Sequence, residues 1–200
     1  MSRRADLALT ERRRAQLIRA GYTEILEKGI QRVTLDSVVA RAGSSKGGAL
    51  HYFRTKEDLL FAVLEWLLNQ VDRTLDDVAH TNASPRSRLA SELEVLFHSA
   101  DVNRKLYMVL FDYVAIGTRS DRFRAPLAAF FEACRRRDIL IVEEGIRQQE
   151  FRRVNPEVAA ATIRALVDGY CLQWLLATDA TPVEVYRDRC RAVLGSYLLR

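Results

Sequence analysis

Residues 34–60 read TLDSVVARAGSSKGGALHYFRTKEDLL, and this stretch decides the fold. Thr34 stands just before an apolar-periodic segment, where a hydroxyl accepts a hydrogen bond from a free N–H of the first helical turn. Leu35, Val38, Val39 and Ala42 then share one helical face. Gly43 follows at once, and a glycine there takes the left-handed conformation that ends a helix. Ser44 and Ser45 are N-caps for a second short helix running toward His51, Tyr52 and Phe53. Neither segment is long enough to be stable alone. Two short helices joined by a tight glycine turn describe a helix-turn-helix, whose second helix is placed in the DNA major groove. Thr55 caps a third helix with Glu57 and Asp58 in its first turn, where the helix dipole favours carboxylates.

Charge is concentrated around this stretch. Residues 1–55 carry 11 Lys and Arg against 5 Asp and Glu, a net of +6, whereas residues 56–200 carry 20 against 21. A local basic field of this kind fits a polyanionic partner. Cys134, Cys171 and Cys190 are isolated and odd in number, which argues for a reducing interior and against a disulfide framework. Residues 1–6 are charged, no signal-type apolar region follows, and no run approaches a membrane span, so a cytoplasmic protein is expected.

Outward from the motif, residues 1–9 read as a short arm with Arg3 and Arg4, and Thr10 and Glu11 start a helix to about Lys28. Arg12, Arg13, Arg14 and Arg19 load that helix with positive charge, and Gly29 ends it. A long helix is expected from Lys56 to about Val78, followed by helices over about 86–99, 104–116, 121–149, 156–177 and 183–199, with residues 101–103 as a break. No strand-type alternation is visible. The expected fold class is therefore all-α, with about nine helices. An N-terminal three-helix helix-turn-helix domain over residues 1–55 precedes a larger helical domain over residues 56–200.

The stretch also resembles the DNA-binding region of the TetR/AcrR family of transcriptional regulators. The resemblance is carried by Ala42-Gly43, Ser45-Lys46-Gly47, His51-Tyr52-Phe53 and Lys56-Glu57-Asp58-Leu59-Leu60, in the family's order and spacing, and covers about residues 10–65. Ser44 stands where an apolar residue is usual, Ala49 where a larger one is common, and Leu50 where many members have an aromatic. Gly48 adds a second glycine to a short helix. The resemblance implies a homodimeric regulator that binds a palindromic operator and responds to a small-molecule effector, with its last two helices (about 156–177 and 183–199) at the dimer interface.

Candidate DNA-binding residues are Thr34, Ser44, Ser45, Lys46, Gly47, Gly48, His51, Tyr52 and Lys56. Those early in the second helix meet base edges, while Tyr52 and Lys56 position the protein on phosphates. Phe53 and Leu50 read as core. In the larger domain Trp66, Phe97, Tyr107, Phe111, Tyr113, Phe130, Cys134, Tyr170 and Trp174 form an aromatic-rich set able to line a pocket for an apolar or aromatic ligand, with Asp112 and Asn69 as inward polar groups. Ordinary core packing is the competing reading of each. The small-residue ladder from Ala159 to Gly169, with Leu172, Leu175, Leu176, Val185, Val193, Leu194 and Leu198, is the candidate dimer face.

An enzyme reading finds little support. His51, His80 and His98 lie far apart and pair with no cysteine or acid at metal-ligand spacing, so no metal and no cofactor are expected. A non-specific DNA-coating protein and an all-helical small-molecule enzyme or carrier remain the competing functions.

Overall fold

A computed structural model describes residues 2–199, with side chains from residue 8 onward, so Arg3 and Arg4 lie outside the described side chains. Its described residues form nine α-helices: α1 (Ser2–Lys28), α2 (Leu35–Arg41), α3 (Lys46–Tyr52), α4 (Lys56–Ala79), α5 (Pro85–Leu96), α6 (Ala100–Gly117), α7 (Asp121–Arg147), α8 (Pro156–Leu176) and α9 (Val183–Leu198). A 3₁₀ turn, Ile30–Arg32, links α1 to α2. Two expectations are corrected. The expected arm is helical, since no glycine or proline interrupts residues 2–20. The expected break at residues 101–103 lies inside α6: Asn103 is buried, and its Nδ2 donates to Leu96 O at 2.7 Å, satisfying a carbonyl at the end of α5.

The chain forms two compact units, Met1–Asn69 with Val109–Pro126, and Gln70–Met108 with Leu127–Arg200. In the first, Leu17, Ile18 and Ile25 of α1 join Ile30, Val33, Val38, Ala49, Phe53 and Leu59 in one buried core. Gly21 lets α4 come close, because a Cβ there would meet Val63 Cγ2 at 3.0 Å. Glu24 is buried within this unit (2 % exposed). Its Oε2 accepts from Lys28 Nζ at 2.7 Å and its Oε1 from Arg41 Nε at 2.6 Å. Glu27 holds the far side of the same guanidinium. Gln16 Nε2 donates to Ala42 O at 2.7 Å, so α1 also satisfies a carbonyl at the end of α2.

In the second unit Arg164 lies at the centre of an apolar interior, with Nη2 2.6 Å from Glu92 Oε1 and Nε 2.6 Å from Asp138 Oδ2. Burial opposes the arginine's charge, but Glu92 and Asp138 outweigh it and raise its pKa, while burial pushes the Asp138 carboxyl up. Cys134, Cys171 and Cys190 are free and buried, and burial pushes their thiols to about 12, 12 and 11. Such thiols are unreactive near neutral pH. Among the described residues no helix is long and apolar enough to cross a membrane.

Burial alone would raise the Glu24 pKa, but hydrogen bonds from Lys28, Ser37 and Arg41 outweigh it and hold the group at about 2, below its ordinary 4.5. A carboxyl depressed in the folded state stabilises fully above its unfolded pKa and loses that contribution as pH falls through the folded one. Glu24→Gln is therefore expected to lower stability at pH 7 by about 2 kcal/mol in urea unfolding. The gap between wild type and variant should close as pH falls from 4.5 toward about 2.

Candidate nucleic-acid interface

The interface is built from the ends of α2 and α3. Thr34 Oγ1 accepts from Ser37 N–H at 3.1 Å, and Ser37 Oγ accepts from Thr34 N–H at 3.3 Å. These reciprocal bonds start α2 at Leu35. Gly43 ends it with φ +58°. Gly43 N–H donates to Ala40 O and Ser44 N–H to Val39 O, both at 3.1 Å, the paired bonds of a left-handed helix stop. Ser45 Oγ then accepts from Gly48 N–H at 3.1 Å and caps α3. The sequence thus dictates a short helix, a fixed reversal and a second short helix.

Ala49 and Phe53 fix how α3 rolls on the core, each 2 % exposed. Arg14 of α1 lies over the Phe53 ring at 5.5 Å. The opposite side of α3 is open: Ser44, Ser45, Lys46, Gly47 and His51 are exposed, and Gly48 and Tyr52 are half-buried. Lys46 Nζ is 2.9 Å from Asp36 Oδ1, an ion pair whose members are 68 % and 70 % exposed. A pair that exposed contributes little to folding and leaves the ammonium available. His51 packs edge-to-face on Tyr52 at 5.2 Å and does not enter the core. Lys56, half-buried at the start of α4, donates from Nζ to Gln31 O at 2.9 Å. Leu50 is a further correction: expected as core, it is 43 % exposed, because the inward position belongs to Ala49. A cleft of about 420 Å³ runs between α1, the turn and α3, with Arg13, Ser44, Ser45, Gly48, His51 and Tyr52 among its lining.

The candidate ligand residues divide between the two units. Trp66, Phe111, Asp112 and Tyr113 belong to the first, and Phe97, Tyr107, Phe130, Cys134, Tyr170 and Trp174 to the second. Trp66 stacks edge-on against Tyr22 at 5.3 Å. Asp112 Oδ2 accepts from Ile30 N–H at 3.1 Å, and Tyr113 OH donates to Leu60 O at 2.7 Å. Phe97, Tyr107, Cys134 and Trp174 are buried, with Arg104 over the Trp174 ring at 5.3 Å. Phe130 meets Phe131 at 5.6 Å, and Tyr170 meets Tyr186 at 6.2 Å. Asn69 is exposed, which removes it as an inward group. The Arg164 cluster was missed, although its signal was present. Asp138 follows Cys134 by four residues and precedes Ile141 and Val142 by three and four, which puts a charge on an apolar stripe.

Residues 17–63 match the N-terminal model of the bacterial regulatory proteins of the tetR family, and residues 85–199 match the C-terminal model of BetI-type transcriptional repressors. The chain belongs to the TetR family. It is a transcriptional regulator with an N-terminal helix-turn-helix, not an enzyme, and regulators of this family bind DNA operators and small-molecule effectors. It is 27 % identical over 192 residues to the HTH-type transcriptional regulator PksA of Bacillus subtilis, covering 94 % of this chain and 89 % of that protein. It is 29 % identical over 176 residues to the regulator YfiR of the same organism, covering 88 % and 85 %. A transcriptional regulator from Saccharomonospora viridis, in complex with choline, shares the fold at a TM-score of 0.87 and 19 % identity, covering 94 % of this chain and 97 % of that one.

The turn of this TetR-family head depends on one backbone conformation. A Cβ at Gly43 would meet nothing within 4 Å, so the cost of substitution there is set by φ alone. Gly43→Ala is expected to destabilise by about 1 kcal/mol in urea unfolding, and Gly43→Asn by less.

Proposed function

We propose that the chain is a homodimeric repressor that occupies a palindromic operator and leaves it when a small molecule binds. The observation that carries this is the exposed side of α3. Ala49 and Phe53 hold the helix against the core, and Ser45, Lys46, Gly47 and His51 face outward at the start of a basic head. Base edges are met by the first turns of such a helix. Thr34, Ser44 and Gly48 shape its approach, and Tyr52 and Lys56 set register on phosphates. In this reading residues 1–55 bind DNA and residues 56–200 bind effector and partner, in the cytoplasm.

The dimer face is proposed on α8 and α9. Leu172, Leu176, Val185 and Val193 are exposed there, Leu176 by 70 %. Ala159, Ala160, Leu194 and Leu198 from the expected face are buried within the one chain, so they support the face from behind. An exposed apolar strip across two helices suits a self-complementary two-fold contact. The effector is proposed to be apolar or aromatic. A small organic effector is supported by the Saccharomonospora viridis regulator, whose structure is a complex with choline.

Lys46→Ala with Tyr52→Ala is expected to weaken binding to a selected palindrome about 30-fold, roughly 2 kcal/mol, with two chains per duplex in the wild-type complex. Lys46→Ala alone, at an exposed position, separates loss of contact from loss of folding. Binding of the double variant as tight as wild type would overturn the assignment. Similar wild-type affinity for unrelated duplexes, with a steep salt dependence, would favour non-specific coating.

A further inference from the structure

We infer that Leu50 is a specificity-determining residue of α3, making an apolar contact with the C5-methyl group of a thymine in each operator half-site. The inference rests on α3 being the helix that enters the major groove. Leu50 follows Lys46 by four residues and Gly47 by three, so the three share one helical face. That face is exposed, and Leu50 is 43 % open to solvent. Among the described residues of the first unit, Leu9 and Leu50 are the large apolar side chains left exposed.

A lone exposed leucine is ordinary on a protein surface. This one is held outward. Ala49, on the other side of the same seven-residue helix, and Phe53, its C-cap, are each 2 % exposed, and rolling α3 to bury Leu50 would pull them out of the core. Its flank is also clear. Gly47 has no side chain, and a Cβ built there meets nothing within 4 Å. The helix can therefore approach a groove closely beside Leu50.

Chemistry narrows what Leu50 can touch. An aliphatic side chain neither donates nor accepts a hydrogen bond, so phosphate oxygens and the polar base edges gain nothing from it. The apolar feature that B-DNA presents in the major groove is the thymine methyl. Lys46, one turn earlier, supplies the polar contact that Leu50 lacks.

The test uses the full-length protein and a palindrome selected from random duplexes. Each thymine of one half-site is replaced in turn by deoxyuridine, which removes only the methyl. Wild type should lose about four-fold in affinity at one thymine, the value of one buried methyl-sized group at roughly 0.8 kcal/mol. Leu50→Ala should bind the parent operator more weakly and show no loss for deoxyuridine at that position, while Leu50→Met should keep most of the discrimination. Unchanged thermal unfolding of Leu50→Ala confirms an intact head, as its exposure leads one to expect. The inference is overturned if wild type selects a palindrome yet tolerates deoxyuridine at every thymine, or if Leu50→Ala keeps the wild-type penalty. A wild-type protein that selects no sequence overturns the reading of α3 as well.

Discussion

Two seven-residue helices must be held by something other than themselves, because nucleation makes helices this short unstable in water. What holds them is a buried carboxylate. Glu24, on α1, accepts from Lys28 on its own helix and from Arg41 in the last turn of α2. Gln16, two turns earlier, closes the end of α2 through Ala42 O. Once α2 is fixed, the left-handed Gly43 and the Ser45 cap leave α3 one direction to take, and Ala49 with Phe53 sets its roll. The candidate residues of α3 are oriented by that sequence of constraints. The arginine that completes the Glu24 cluster also lies where the dipole at the end of α2 favours a cation.

The same unit includes residues far along the chain. The segment Val109–Pro126 belongs to it, tied by side-chain bonds to backbone. Asp112 accepts from Ile30 N–H just before α2, and Tyr113 donates to Leu60 O on α4. Arg122 pairs with Asp58 at 2.8 Å, beside the cap of α4, with its guanidinium 5.0 Å from the centre of the Phe61 ring. Asp112, expected to orient a ligand, is thus already engaged in holding the head. Residues 109–126 therefore belong physically to the same unit as the helix-turn-helix.

Much of this was legible in the sequence because it depends on local rules. Capping hydroxyls at Thr34, Ser45 and Thr55 and the glycine at 43 act within a few residues, and α2, α3 and α4 start where those caps place them. The misreadings share a cause. Asn103 resembles a breaker, but its side chain satisfies Leu96 O across the α5–α6 turn, a use no local pattern announces. Leu50 reads as core by hydrophobicity alone, yet in a helix this short one position faces inward per turn, and Ala49 takes it. Arg164, Glu92 and Asp138 come together from three helices. Removing Arg164 would leave two buried carboxyls without their cation. Only tertiary packing reveals such a cluster.

The central claim is that two copies of this head, each presenting α3, read a palindrome. Hydroxyl-radical footprinting of the wild-type protein on its selected operator tests it most directly. Two protected patches related by a two-fold axis, with centres about 34–36 Å apart or a multiple of that, are the predicted result. Uniform protection that follows protein concentration regardless of sequence, or a single unpaired patch, would contradict it.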